Sequence, residues 1–173
     1  MERAFAALRT LLYATGFVWL WGWLAFRARD WGRDLWSDAI PAWAPSVGLV
    51  LMVLGAAVVL ACLATFAFIG RGTPAPFDPP RELVPVGPYR FVRNPMYIGA
   101  LIVLVGFALY ERSVSALLFV LFAWLAAHLF VILGEEPVLE RKFGESYLRY
   151  KASVRRWLPR IPRAVPTSSP PSS

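Results

Sequence analysis

The run Met96-Tyr97-Ile98-Gly99-Ala100-Leu101-Ile102-Val103-Leu104-Val105-Gly106-Phe107-Ala108-Leu109-Tyr110, then Glu111-Arg112-Ser113, then a second apolar run from Val114 to Gly134, decides the fold. Both runs are too long for strands. Only three polar residues separate them, which leaves room for a tight turn and predicts a helical hairpin. Val114–Gly134 has the roughly 20 residues that a bilayer crossing needs. Met96–Tyr110 covers only about 22 Å at roughly 1.5 Å per residue, short of a hydrocarbon core near 30 Å. It therefore starts inside the membrane or leans on its neighbour.

Two more apolar segments lie upstream. Ser46–Gly70 carries no charge and presents Gly48, Gly55, Ala56, Ala57, Ala61 and Ala64, small residues that let helices approach closely in lipid. Met1–Phe26 is uncharged after Arg9 and includes Trp19, Trp21 and Trp23. It exceeds the apolar stretch of a signal peptide, and Arg27-Ala28-Arg29-Asp30 follows in place of a small-residue cleavage site, so a retained anchor is expected. Between the two, Arg27–Pro45 is a mixed-charge linker whose Trp31, Trp36 and Trp43 suit a membrane–water interface.

The composition agrees: 58% of the residues are hydrophobic and eight are Trp, too apolar for an ordinary soluble domain or a disordered chain. The net charge of +7 falls outside the apolar runs and reads as membrane orientation and headgroup attraction, not nucleic-acid binding. Cys62 stands alone within a span, which offers neither a disulfide nor a metal cluster. Four spans place fourteen of the 18 basic residues on the side of the two termini and of the Arg71–Pro95 connector. The positive-inside rule then puts both termini in the cytoplasm of what is expected to be a bacterial cell membrane.

Downstream, Leu139, Phe143, Tyr147, Tyr150 and Val154 recur near helical spacing among charged residues, which predicts an amphipathic helix on the membrane surface, broken at Gly144. The fold expected is all-α: an integral membrane bundle with spans at about 6–26, 46–70, 96–110 and 114–134 and a cytoplasmic tail helix over 137–156. Residues 1–166 form one domain, and the Pro/Ser-rich 167–173 is disordered.

The chemistry concentrates at one end of the hairpin. Arg71–Pro95 holds seven prolines and four arginines and is long for a connector. Pro95 suits the first position of a helix. The hairpin sets this loop beside Glu135-Glu136. One wall then carries His128, Glu135 and Glu136, with His128 and Glu135 seven residues apart on nearly one helix face. The other carries Tyr89, Arg93, Asn94, Tyr97 and the backbone donors of a helix start. Ionisable groups at membrane depth are functional candidates. His128 also suits a satisfied bundle histidine, and the glutamates also suit the cap of a following helix. A ligand for such walls carries both an anion and a cation and tolerates aromatic surroundings. S-adenosylmethionine has that chemistry, with its carboxylate suited to Arg93 or the helix start and its ammonium to Glu136.

The pattern Gly87-Pro88-Tyr89-Arg90-x-x-Arg93-Asn94-Pro95-x-Tyr97-x-Gly99, the hairpin, then Glu135-Glu136-x-x-Leu139-x-x-x-Phe143-Gly144-x-x-Tyr147-x-x-Tyr150 resembles the isoprenylcysteine carboxyl methyltransferase and phospholipid methyltransferase superfamily. The likeness runs from Val84 to about Pro162, and four spans suit a small bacterial-type member. It implies S-adenosylmethionine as cofactor, S-adenosylhomocysteine as product and no metal. It also implies a pocket built from the last two spans and the tail, with cofactor roles for Asn94, Pro95, Tyr97, Gly99, Glu135 and Glu136. Asn94 stands where eukaryotic members usually have His; it hydrogen-bonds but does not titrate. The expected acceptor is lipidic or membrane-associated: a phospholipid amine, or a carboxylate or thiol of a lipophilic molecule. Glu135, then Tyr97, are the candidates for catalysis where a proton must leave. Tyr147, Tyr150, Arg155 and Arg156 are candidate substrate contacts. The alternatives are a small four-span transporter and a membrane protein that binds a partner without catalysis.

Overall fold

The computed structural model describes residues 2–31, 39–65 and 86–159, with side chains from residue 15 onward except 17 and 18. Among the described residues there is no strand. Helix α1 is Glu2–Trp31, α2 Ala44–Thr65, α3 Pro95–Tyr110 and α4 Val114–Phe130. A π-helical turn, Val131–Glu135, carries α4 into α5, Glu136–Phe143, and α6 follows as Glu145–Ser153. The expectations for 66–85 and for 160–173, the disordered terminus included, lie outside the described residues.

The α3–α4 hairpin forms as the spacing requires. Arg112 takes a positive φ of 50°, the Ser113 amide donates to the Ala108 carbonyl, and the Ser113 side chain accepts from the Ala116 amide at 3.1 Å. Serine at this position satisfies one of the amides that a helix start leaves open. Here α1 differs from its expected end at Phe26. It continues to Trp31 because Arg29, placed over the Phe26 ring, reaches Glu111 at the hairpin turn at 3.2 Å. At the same end, the Arg112 guanidinium donates to the Ile40 carbonyl through Nε at 3.0 Å and Nη2 at 2.7 Å.

Helices α2 and α3 run antiparallel in backbone contact. A Cβ built on Gly48 would lie 2.5 Å from the Gly106 carbonyl oxygen, and one on Gly55 would lie 2.6 Å from that of Gly99. The relation is reciprocal, since a Cβ on Gly106 would meet the Gly48 oxygen at 2.6 Å. The two glycines of each helix are seven residues apart, two turns, so both pairs fall on one line of contact. Helix α4 packs on α3, and α1 packs on α4.

The tail differs more. The tail helix over 137–156, expected to start anew after Glu136, is broken at Gly144 as its sequence predicts, but its start differs. The helix continues from α4 through Pro137 without a new start and ends at Gly144, whose φ of 52° and ψ of −130° suit glycine alone. A proline inside a helix lacks an amide and crowds the preceding turn. The π turn immediately before Pro137 loosens that turn, so the helix continues and does not break.

Ala44–Thr65 and Val114–Phe143 are long and apolar enough to cross a membrane, and few of their residues are buried in the protein. Leu49, Val50, Val53, Leu54 and Leu60 of α2, and Leu118, Leu121, Phe122, Leu125 and Leu129 of α4, all face outward. Apolar surface on that scale suits lipid and not water.

Gly55→Ala is expected to cost about 1–3 kcal/mol, because the new methyl has backbone on its far side and the helices must part. The measurement is the thermal midpoint in detergent. Gly134→Ala, whose methyl would meet only the Phe130 ring at 3.8 Å, serves as the control and should leave the midpoint unchanged.

Candidate functional site

At the Pro95 end of α3, Thr65 of α2 abuts Gly87, where a Cβ would lie 2.6 Å from the Thr65 hydroxyl. A 3₁₀ turn, Gly87–Arg90, leads to Pro95 at the first position of α3, as expected. Tyr89 sends its side chain to the buried Cys62 of α2, and burial raises its pKa well above the usual tyrosine range. Its carbonyl accepts the Tyr150 hydroxyl at 2.7 Å. Asn94 is buried, yet its side chain does not cap α3; Nδ2 donates instead to the Arg156 carbonyl at 3.2 Å.

The opposite wall depends on the π turn. Each residue of an α-helix turns the chain by roughly 100°, so His128 and Glu135 would share a face in an unbroken α-helix. The Glu136 amide instead bonds the Val131 carbonyl, an i→i+5 closure that takes in an extra residue. Positions beyond it fall back by about one residue, and Glu136 replaces Glu135 on the face of His128. This corrects the register expected from spacing. Glu135 is thereby turned to α3, where its Oε2 accepts the Tyr97 hydroxyl at 3.0 Å.

Glu136 is only 5% exposed and is surrounded by cations. Arg156 forks onto it, Nε to Oε1 at 2.7 Å and Nη2 to Oε2 at 2.9 Å. Arg93 Nη1 lies 3.2 Å from Oε1, and Lys151 Nζ 3.5 Å from Oε2. Lys151 also bonds Glu140. The hydrogen bonds to Glu136 raise the Arg156 pKa above its ordinary value. Tyr147 is buried beside this cluster, and burial followed by the Glu136 charge pushes its hydroxyl up to about 12. Burial likewise raises Tyr150, whose ring lies 6.1 Å from that of Tyr147.

The chain then crosses the site as a strap, Arg155–Trp157. The Arg155 carbonyl accepts the Arg93 amide at 2.9 Å, and the Arg156 carbonyl accepts Asn94. Trp157 Nε1 donates to His128 Nδ1 at 2.9 Å, and its ring meets that of Tyr97 edge-on at 6.4 Å. The structure thus brings Arg93, Asn94, Tyr97, His128, Glu135 and Glu136 together. Gly99 is turned away to the α2 contact, and the Arg155 side chain is exposed, so that only its backbone serves the site. Arg156 and Glu136 are engaged with each other. Sequence reading missed Trp157 and Lys151; the only trace was that Arg155-Arg156-Trp157 follows an amphipathic segment.

Arg93 is only partly satisfied by Glu136 and Tyr147. Its side chain is 8% exposed, and among the described residues Nε and Nη1 make no hydrogen bond, Nη1 having only its ionic contact with Glu136. Buried donors without acceptors are uncommon and mark a place where an acceptor can bind.

A double-mutant cycle on Glu136→Gln and Arg156→Gln should give a coupling of about 1.5–3 kcal/mol, the scale of hydrogen bonds to a charged group. Stability in detergent and protease release of the tail are the readouts. Independent, additive effects would mean that the fork holds nothing in place.

Comparison with known proteins follows the same lines. The family model for phospholipid methyltransferase matches residues 43–146. An uncharacterised protein of Haemophilus influenzae is 43% identical over 63 residues, which is all of that protein and 36% of this chain. No solved structure matches. The family match takes in α2 to α5 and stops at Ser146, before the strap. By that match the chain, a helical membrane protein with a polar cluster where α3 begins and α4 ends, belongs to the phospholipid methyltransferase family.

Proposed function

We propose that the protein is a membrane-embedded methyltransferase that uses S-adenosylmethionine and methylates a lipidic or membrane-associated acceptor. The family supplies the reaction class. The observation that supports the site is the buried guanidinium of Arg93, short of acceptors, at one end of a cluster whose other end is the Tyr97–Glu135 pair. S-adenosylmethionine, when bound, supplies a methyl group on a sulfonium centre, which needs no metal for its activation. Arg93 and the helix start at Asn94-Pro95 would take its carboxylate. Glu136, which sequence reading assigned to the ammonium, already faces three cations, so in this proposal it holds the strap and loop together.

The residues then do two things. Tyr97, Trp157 and the apolar ends of α3 and α4 keep water from the reacting atoms, and the strap aligns the two walls; alignment is most of what an in-line transfer requires. Where the acceptor is an amine, it arrives as ammonium, and its proton goes to Glu135, a carboxylate that no cation neutralises among the described residues. Where the acceptor is a carboxylate, no base is needed. In this proposal the chain has four spans with both termini cytoplasmic, an orientation that the distribution of its basic residues supports. A transporter would need ionisable residues along a central path, whereas here His128 lies within a span and the acidic pair Glu135-Glu136 sits at the span's end.

Purified protein given methyl-labelled S-adenosylmethionine and native lipid extract should yield a labelled lipid. For an amine acceptor, Glu135→Gln should lower turnover by about 10²–10⁴ with cofactor affinity retained. A wild-type protein that neither binds the cofactor nor labels any lipid would rule the reading out. Orientation has its own check: a reporter fused to the C-terminus should give a cytoplasmic signal and one fused after Arg33 a periplasmic one.

A further inference from the structure

The tail strap places an indole against the chain's single histidine, and the chemistry of that contact is one-directional. Indole Nε1 can only donate. At 2.9 Å from His128 Nδ1 it requires Nδ1 to be the unprotonated nitrogen of the ring. In the neutral imidazole the proton then sits on Nε2. We infer that Trp157 is a positioning residue, which fixes His128 as the Nε2–H tautomer and so makes it a hydrogen-bond donor and not a base while the strap is in place.

Three observations make this more than a chance contact. The His128 ring lies 5.4 Å from the Trp124 ring at 17° and 5.9 Å from that of Trp157 at 37°, so its plane is fixed by aromatic neighbours. Trp157 follows directly on Arg156, which is held from two sides, by Glu136 through its guanidinium and by Asn94 through its carbonyl. Trp157 also meets Tyr97, which donates to Glu135. A continuous line therefore runs from His128 through Trp157 and Tyr97 to Glu135. It divides the labour of the site: Glu135 is left to accept a proton, and His128 offers one N–H on its far edge. The strap lies beyond the residues that the family match covers, so this assignment rests on this chain's own tail. Its catalytic consequence rests on the methyltransferase reading above.

The test uses the full chain in detergent or nanodiscs with histidine labelled by ¹⁵N, where one ring gives the whole imidazole spectrum. At about pH 8.5, where an ordinary imidazole is neutral, the wild type should show Nδ1 unprotonated and hydrogen-bonded and Nε2 protonated. Trp157→Phe keeps the ring and removes the donor. It should shift Nδ1 and populate the other tautomer, and should lower kcat roughly three- to tenfold, one ordinary hydrogen bond's worth, with KM for S-adenosylmethionine changed less than twofold. A protonated Nδ1 in the wild type overturns the inference, whether or not the variant folds. So does a Trp157→Phe protein with unchanged nitrogen shifts or unchanged kcat. If the wild type binds no S-adenosylmethionine, the methyltransferase reading falls and takes the catalytic consequence with it, while the nitrogen shifts decide the tautomer in either case.

Discussion

A buried carboxylate is costly to leave alone and worth keeping only where its partners are well placed. Glu136 is that carboxylate. Its cations come from the loop before α3 (Arg93), from α6 (Lys151) and from the strap (Arg156), so one side chain joins the loop before α3 to the much later α6 and the strap that follows it. Around it the buried apolar residues are few and scattered among these stretches: Val92, Val131, Tyr147 and Val154. The tail helices α5 and α6 are short and polar on one face, and helices of that length are marginal without tertiary support. The position of the strap over Tyr97 and His128, and hence the closure of the site, depends on this cluster.

Much of this arrangement could be read from residues alone, and the reason is periodicity. Long apolar runs separated by three polar residues permit little besides a hairpin, and a hairpin brings the start of the first run toward the end of the second. Pro95 announced a helix start because its missing amide costs nothing there. What escaped was carried by groups without a side-chain signature. The strap is held partly by the carbonyls of Arg155 and Arg156, which any residue would supply. The exchange of faces between Glu135 and Glu136 comes from a π turn, which no apolar pattern marks; only Pro137 just beyond it hinted that the helix would be irregular there. Gly99 belongs to a quoted motif, yet it serves the contact with α2. Membership of a motif therefore does not divide packing from chemistry.

The outer and inner surfaces answer to different solvents. Toward lipid, α2 and α4 present branched and aromatic side chains with few polar atoms. Between α2 and α3 the contact is made by glycine backbones, because close approach in lipid gains dispersion and weak C–H···O contacts where burial of apolar area gains little. At the polar end, hydrogen bonds and ion pairs take over. The family relationship and the polar cluster thus meet on one end of a bundle whose sides are built for the bilayer.

The contact between Thr65 and Gly87 has a consequence of its own. The chain leaves α2 at Thr65 and comes back to the same point at Gly87, so both ends of the intervening segment are fixed side by side whatever lies between them. The entropy of closing such a loop grows only with the logarithm of its length, and doubling it costs about 0.6 kcal/mol. The bundle and its site are therefore nearly indifferent to how many residues make that return.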